Sequence, residues 1–151
     1  MKNLVRVLLG SKTDMNIGEG IKEYLEKFEI PYDFYISSAH RNPEQTVDLA
    51  KKAAAEGIKV IIAVAGMSAH LPGVVAAHTT LPVIGVPVKG NTMNGEDALY
   101  SIVQMPTGIP VATVAINGGK NAAILACQII ATSDDNYKKR LQLFKKELSG
   151  S

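Results

Sequence analysis

Short apolar runs alternate with longer stretches of helical periodicity along almost the whole chain. Leu4 to Leu9 is apolar except for Arg6 and is followed by Gly10-Ser11-Lys12-Thr13-Asp14. From Met15 the positions Ile17, Ile21, Tyr24, Leu25 and Phe28 form one stripe, which predicts a helix closed by Pro31. Tyr32 to Ile36 reads as a second strand. Asn42 is then placed to cap a helix from Pro43 to about Glu56, with Val47, Ala50, Ala53 and Ala54 facing inward and Gly57 ending it. Ile58 to Val64 is almost wholly apolar, as a strand buried on both faces would be. A short helix to about His78, a fourth strand from Val83 to Val86 and a helix around Glu96 to Gln104 follow. The fifth strand is expected from Val111 to Ile116, an Ala-rich helix ends at Ala131, and Ser133-Asp134-Asp135 starts a last amphipathic helix to about Leu148.

Five strands alternating with helices predict an α/β fold, a parallel sheet with helices on both faces in three layers. The flavodoxin-like order is the natural expectation for five such strands, with residues 1–151 forming a single domain and ending in a C-terminal helix. In these folds ligands bind beyond the carboxyl ends of the strands. The loops after strands one, two and three therefore open on one edge, and the small, polar and ionisable residues concentrate there.

Composition narrows the function classes. Of the 151 residues 46% are hydrophobic and 20% charged, and the net charge is only +2. The run Lys138-Lys139-Arg140 reads as a solvated helix face, so no nucleic-acid partner is expected. No stretch is long and apolar enough to span a bilayer, and no signal peptide is evident at the start, so a cytoplasmic protein without membrane contact is expected. The single cysteine, Cys127, lies in an apolar helical run and reads as a core residue. The three histidines lack metal-ligand spacing, so no metal site is expected.

The chemistry centres on Ser37-Ser38-Ala39-His40-Arg41-Asn42-Pro43. Imidazole is the side chain whose unperturbed pKa lies nearest neutrality, and guanidinium is a permanent cation shaped for phosphate or carboxylate. His40 is thus the candidate general acid/base and Arg41 the candidate anion clamp. Taken alone, residues 10–14 read as a strand-to-helix turn capped by Asp14; beside Arg41 they read as a phosphate cradle, with the Ser11 and Thr13 hydroxyls and the helix amides as donors. They are not a Walker loop, whose spacing is longer. His70 sits in a loop of small residues with Gly66 and Ser68, where it either binds substrate, orients His40 or is structural. His78 reads as a surface residue.

These loops resemble, closely and in order, those of the bacterial-type N5-carboxyaminoimidazole ribonucleotide mutases of purine biosynthesis. That family typically shows Gly-Ser-x-Ser-Asp, Ser-Ala-His-Arg-x-Pro and Ala-Gly-x-Ala-Ala-His-Leu-Pro-Gly. Here stand Gly10-Ser11-Lys12-Thr13-Asp14, Ser38-Ala39-His40-Arg41-Asn42-Pro43 and Ala65-Gly66-Met67-Ser68-Ala69-His70-Leu71-Pro72-Gly73. Leu81 to Pro87, Tyr100 to Pro106 and Pro110 to Asn117 look like the family too.

The resemblance implies a homo-octamer with sites between subunits, and a carboxylate shift from the exocyclic nitrogen to C4 of an imidazole ribonucleotide, with neither metal nor nucleotide cofactor. It implies that Ser11, Asp14, Ser38 and Arg41 hold the ribose phosphate, Asp14 being most apt for ribose hydroxyls. His40 would be the acid/base, and Gly66, Ser68 and His70 would hold the migrating carboxylate and carbon dioxide. Thr13 replaces the usual Ser but keeps the hydroxyl, and Ser68 replaces an Ala. The related carboxylases that use free carbon dioxide tend to carry Lys after Ser-Ala-His and lack the His-Leu-Pro-Gly loop, so Arg41 and His70 to Gly73 favour the mutase. A flavodoxin-type electron carrier would need aromatics in the three loops, and a phospho-acceptor domain would need acids after strand one. Neither pattern is present.

Overall fold

The computed structural model describes residues 2–66, 70–90 and 93–150. Five strands, β1 (Val5–Leu9), β2 (Tyr32–Ile36), β3 (Val60–Ala65), β4 (Val83–Pro87) and β5 (Ala112–Thr113), form one parallel sheet in the order β2-β1-β3-β4-β5. The helices are α1 (Met15–Lys27), α2 (Pro43–Lys52), α3 (Leu71–Ala76), α4 (Glu96–Val103), α5 (Gly119–Ala131) and α6 (Asp135–Leu148). This is the flavodoxin-like order expected above.

Alternation along each strand sends residues to two separate cores. Val5, Val7, Leu9, Val60, Ile62, Val64, Ile84 and Val86 pack with Ile17, Ile21 and Leu25 of α1 and Ala122, Ala126 and Cys127 of α5. Leu8, Ile61, Ala63 and Val83 point the other way, toward Ala50, Val75 and Ile102. β1 and β3 are buried along their whole length because both faces are covered. Glycine permits the closest approaches. A Cβ at Gly85 would lie 2.5 Å from Ile102 Cγ2 and 3.0 Å from Val111 Cγ1, and one at Gly119 would lie 2.9 Å from the Ile17 carbonyl oxygen.

Arg6, the single charge in β1, lies on the α2 side and is only 2% exposed. Its Nε and Nη2 donate to both carboxylate oxygens of Asp33, its register partner on β2, at 3.0 and 2.8 Å. Nη2 also donates to Glu56, and Nη1 to the Leu49 carbonyl. Burial alone would lower the arginine pKa; the hydrogen bonds and charges of Asp33 and Glu56 outweigh it and raise the value, so the guanidinium stays charged.

Four expectations need correction. The second helix stops at Lys52 and the chain turns through Gly57 at φ 96°, which frees Glu56 to reach Arg6. Ala54 is therefore exposed, and Thr46 is buried on the inward side of α2, bonded to Ser37. β5 is two residues rather than six: it is an edge strand, and the chain turns away through Asn117 at φ 62°. His78 is half-buried, with Nδ1 2.8 Å from the Val74 carbonyl oxygen. Cys127 is buried as expected, and burial pushes its thiol up to about 11, against a smaller opposing effect of Arg140, which rules out a resting thiolate.

Gly85→Ala is expected to cost about 1–3 kcal/mol through overpacking against Ile102, read as a lower denaturation midpoint in urea. A midpoint equal to that of the parent chain would show that α4 yields at no cost.

Candidate active site

The carboxyl ends of the strands surround an open cavity of about 570 Å³, within the range of ligand pockets. Its wall draws on the β1 loop (Ser11, Thr13, Asp14), the β2 loop (Ser38, His40) and Gly66 at the end of β3. The loops singled out in the sequence do meet in one place.

Each loop is fixed by its own backbone chemistry. The Gly10 amide donates to the Val64 carbonyl at 2.9 Å, tying the end of β1 to β3. Ser11 then takes the capping role: its Oγ accepts from the Thr13 amide at 3.3 Å and from Thr13 Oγ1 at 3.1 Å. Asp14 stands at the N-cap position of α1 but makes no side-chain cap bond, so the alternative reading of residues 10–14 as a turn capped by Asp14 does not hold. On β2, Ser37 is buried and anchored, with Oγ 2.7 Å from Thr46 Oγ1 and its amide on the Leu9 carbonyl. Ser38 Oγ accepts from the Arg41 amide at 3.1 Å, and the Ser38 carbonyl accepts from the Asn42 amide at 2.9 Å. Asn42 caps α2 through the Gln45 amide. The result is a closed turn with exposed His40 near its tip.

Asp14 is the electrostatic centre of the cavity. It is 5% exposed, and no described residue donates a hydrogen bond to its carboxylate. Desolvation raises its pKa above the ordinary aspartate value. A Cβ on Gly66 would come 3.8 Å from Asp14 Oδ1 and 3.9 Å from Val88 Cβ, so glycine keeps the floor open between them. A largely buried carboxylate to which no described residue donates suits a ligand rich in hydroxyl groups.

Two expected residues are placed differently. Arg41 is exposed and does not line the cavity, and His70 is exposed at the N-cap position of α3. His70 does meet His40, their rings 6.1 Å apart and inclined at 71°. Ser68 lies outside the described residues. Sequence reasoning missed Asn16, Lys89 and Asn117, which also line the cavity. The place of the segment after β4 at this same edge of the sheet was the available signal for Lys89. No group of three or more acids, histidines or cysteines among the described residues is placed to hold a metal ion.

Residues 4–151 match the family described as AIR carboxylase. The chain belongs to that family. It is 50% identical over 147 residues to an N5-carboxyaminoimidazole ribonucleotide mutase of Pyrococcus horikoshii, spanning 97% of this chain and 83% of that protein. It is 52% identical over 141 residues to a phosphoribosylaminoimidazole carboxylase of Schizosaccharomyces pombe, spanning 93% of this chain but 26% of that longer protein. The crystal structure of Treponema denticola PurE superposes with a TM-score of 0.90 at 33% identity, covering 99% of this chain and 93% of that one.

The Asp14 environment predicts a pH-dependent stability cost. The folded state holds the Asp14 proton more tightly than the unfolded chain, so stability falls as pH rises from the ordinary aspartate pKa through the raised folded one. Asp14→Asn should therefore be more stable than the parent near neutral pH, with the gap closing in acid. Denaturation midpoints from about pH 3 to 7 check this; a gap independent of pH would remove ionisation as its cause.

Proposed function

We propose that this protein is an N5-carboxyaminoimidazole ribonucleotide mutase of purine biosynthesis, an isomerase that needs neither metal nor nucleotide cofactor. The reading is carried by one cavity that unites the Ser11–Asp14 turn, the Ser38–His40 turn and Gly66, in a chain half identical to a named mutase over most of that mutase's length.

In this reading Ser11, Thr13 and Ser38 offer hydroxyls to the ribose phosphate, and Asp14 accepts from ribose hydroxyls. Arg41 stands outside the rim, its backbone amide donating to Ser38 Oγ, with an exposed side chain whose guanidinium closes over the phosphate. Gly66, His70 and Ser68 take the carboxylate end of the substrate. Proton donation from His40 to the aminoimidazole lets the N–CO₂ bond break, its electron pair staying on the substrate as carbon dioxide leaves. C4 then attacks the carbon dioxide, and His40 removes the C4 proton and ends as it began. Imidazole serves both steps because its ring nitrogens can both donate and accept a proton. Retention of the carbon dioxide in the cavity makes its recapture effectively unimolecular.

The assembly is proposed to be a homo-octamer with each cavity closed by a neighbouring subunit, working in the cytoplasm. The openness of the site and the exposed side chains of Tyr100 and Val103 support a covered face. Light scattering should then give eight times the 16.1 kDa chain mass; full activity at monomer mass would sink the octamer.

A direct carboxylase is the second reading, since the Schizosaccharomyces pombe relative carries that name. Purified protein given N5-carboxyaminoimidazole ribonucleotide without ATP, metal or bicarbonate should form the C4-carboxylated product, followed in the ultraviolet. His40→Asn should lose turnover by about 10²-fold or more while keeping substrate affinity. Product only from aminoimidazole ribonucleotide plus carbon dioxide would instead make it the carboxylase, and full activity of His40→Asn would overturn the assignment of that residue.

A further inference from the structure

We propose that Lys89 is an anion-binding residue of this cavity, taking the phosphate or the carboxylate of the ribonucleotide. The identity of the ligand rests on the mutase reading; the placement of the residue does not. A carboxylated ribonucleotide brings several negative charges into a cavity whose wall already holds Asp14. Such a ligand needs a cation inside the cavity to offset like-charge repulsion at low dielectric. Among the described lining residues Lys89 is the only lysine or arginine, Arg41 being outside the wall.

The backbone of Lys89 is held from several sides. Its amide donates to Asn117 Oδ1 at 2.9 Å, across the β4–β5 boundary. Asn117, at φ 62°, returns its own amide to the Pro87 carbonyl at 2.8 Å, and the Val88 amide bonds the Ala65 carbonyl at 3.1 Å. Gly95, at φ 90°, packs so closely that a Cβ there would be 3.2 Å from Lys89 Cα. The backbone at Lys89 is thus fixed at the rim. Its side chain is exposed, and its ammonium makes no ion pair with a described residue. A fixed backbone carrying an exposed charge that pairs with no described residue, on a wall that also holds the Asp14 carboxylate, fits a ligand cation better than a pairing lysine on a solvated helix, such as Lys52 with Asp48.

Lys89→Met keeps the stem length and removes the charge, and Lys89→Arg restores a cation. The variants and the parent chain are compared for kcat and KM with N5-carboxyaminoimidazole ribonucleotide. Calorimetry measures their binding of aminoimidazole ribonucleotide, which has the phosphate but lacks the carboxylate. Lys89→Met is expected to raise KM about ten- to hundredfold while kcat stays within about threefold, with most of the affinity recovered in Lys89→Arg. A parallel loss of aminoimidazole ribonucleotide binding assigns Lys89 to the phosphate; unchanged binding beside a raised KM assigns it to the carboxylate. An unchanged KM, or a fall in kcat alone, overturns the proposal. If the parent chain turned over no substrate, the mutase reading would fall by itself. Weaker calorimetric binding of 4-carboxyaminoimidazole ribonucleotide, which carries both the phosphate and the carboxylate, in Lys89→Met would then still support the anion site, and equal binding of it would overturn the proposal.

Discussion

A parallel sheet must be covered on both faces, and this requirement organises the whole molecule. Each of the first four strands is followed by a crossover that returns the chain to the same starting edge, so helices are forced onto the two faces and all carboxyl ends are gathered on one side. β1 and β3 pay for their central position with complete burial, which leaves Arg6 as a charge inside an apolar layer. The structure answers with a bidentate Asp33 on the neighbouring strand, Glu56 beyond α2 and the Leu49 carbonyl, a set drawn from three elements. Removing any one partner would leave a buried charge short of its donors or acceptors, which is why such clusters hold neighbouring elements in one arrangement.

The same topology builds the site. Because β2, β1, β3, β4 and β5 end at one edge, side chains as far apart in sequence as Ser11 and Asn117 line a single cavity. Local hydrogen bonds then shape each contribution: Ser11 folds the first turn and leaves the Asp14 carboxylate uncommitted, while Ser38 and Asn42 close the turn that carries His40. Asp14 is desolvated with no donor among the described residues, an arrangement that costs stability and that a ligand offering hydroxyl groups would relieve. Stability is given up where binding needs it.

Much of this was legible in the primary structure. The apolar runs of β1 and β3, the stripe of α1 and the caps at Asn42 and Asp134 specify their elements through local energetics, and five alternations of strand and helix leave few topologies. The motifs around Ser11, His40 and Gly66 were readable for the same reason: each is a short loop whose position follows from the strand before it. What local pattern determined was therefore the kind of each element and the edge on which the chemistry lies. Tertiary structure decided what depends on partners distant in sequence. The end of α2 at Lys52 is coupled to Glu56 meeting Arg6, the shortness of β5 follows from its edge position, and Asp14 loses its capping role to Ser11. Arg41 lies outside the wall of the cavity, and the lysine in that wall, Lys89, comes from beyond β4. Spacing along the chain fixes which loop a side chain belongs to; only packing fixes which way it faces.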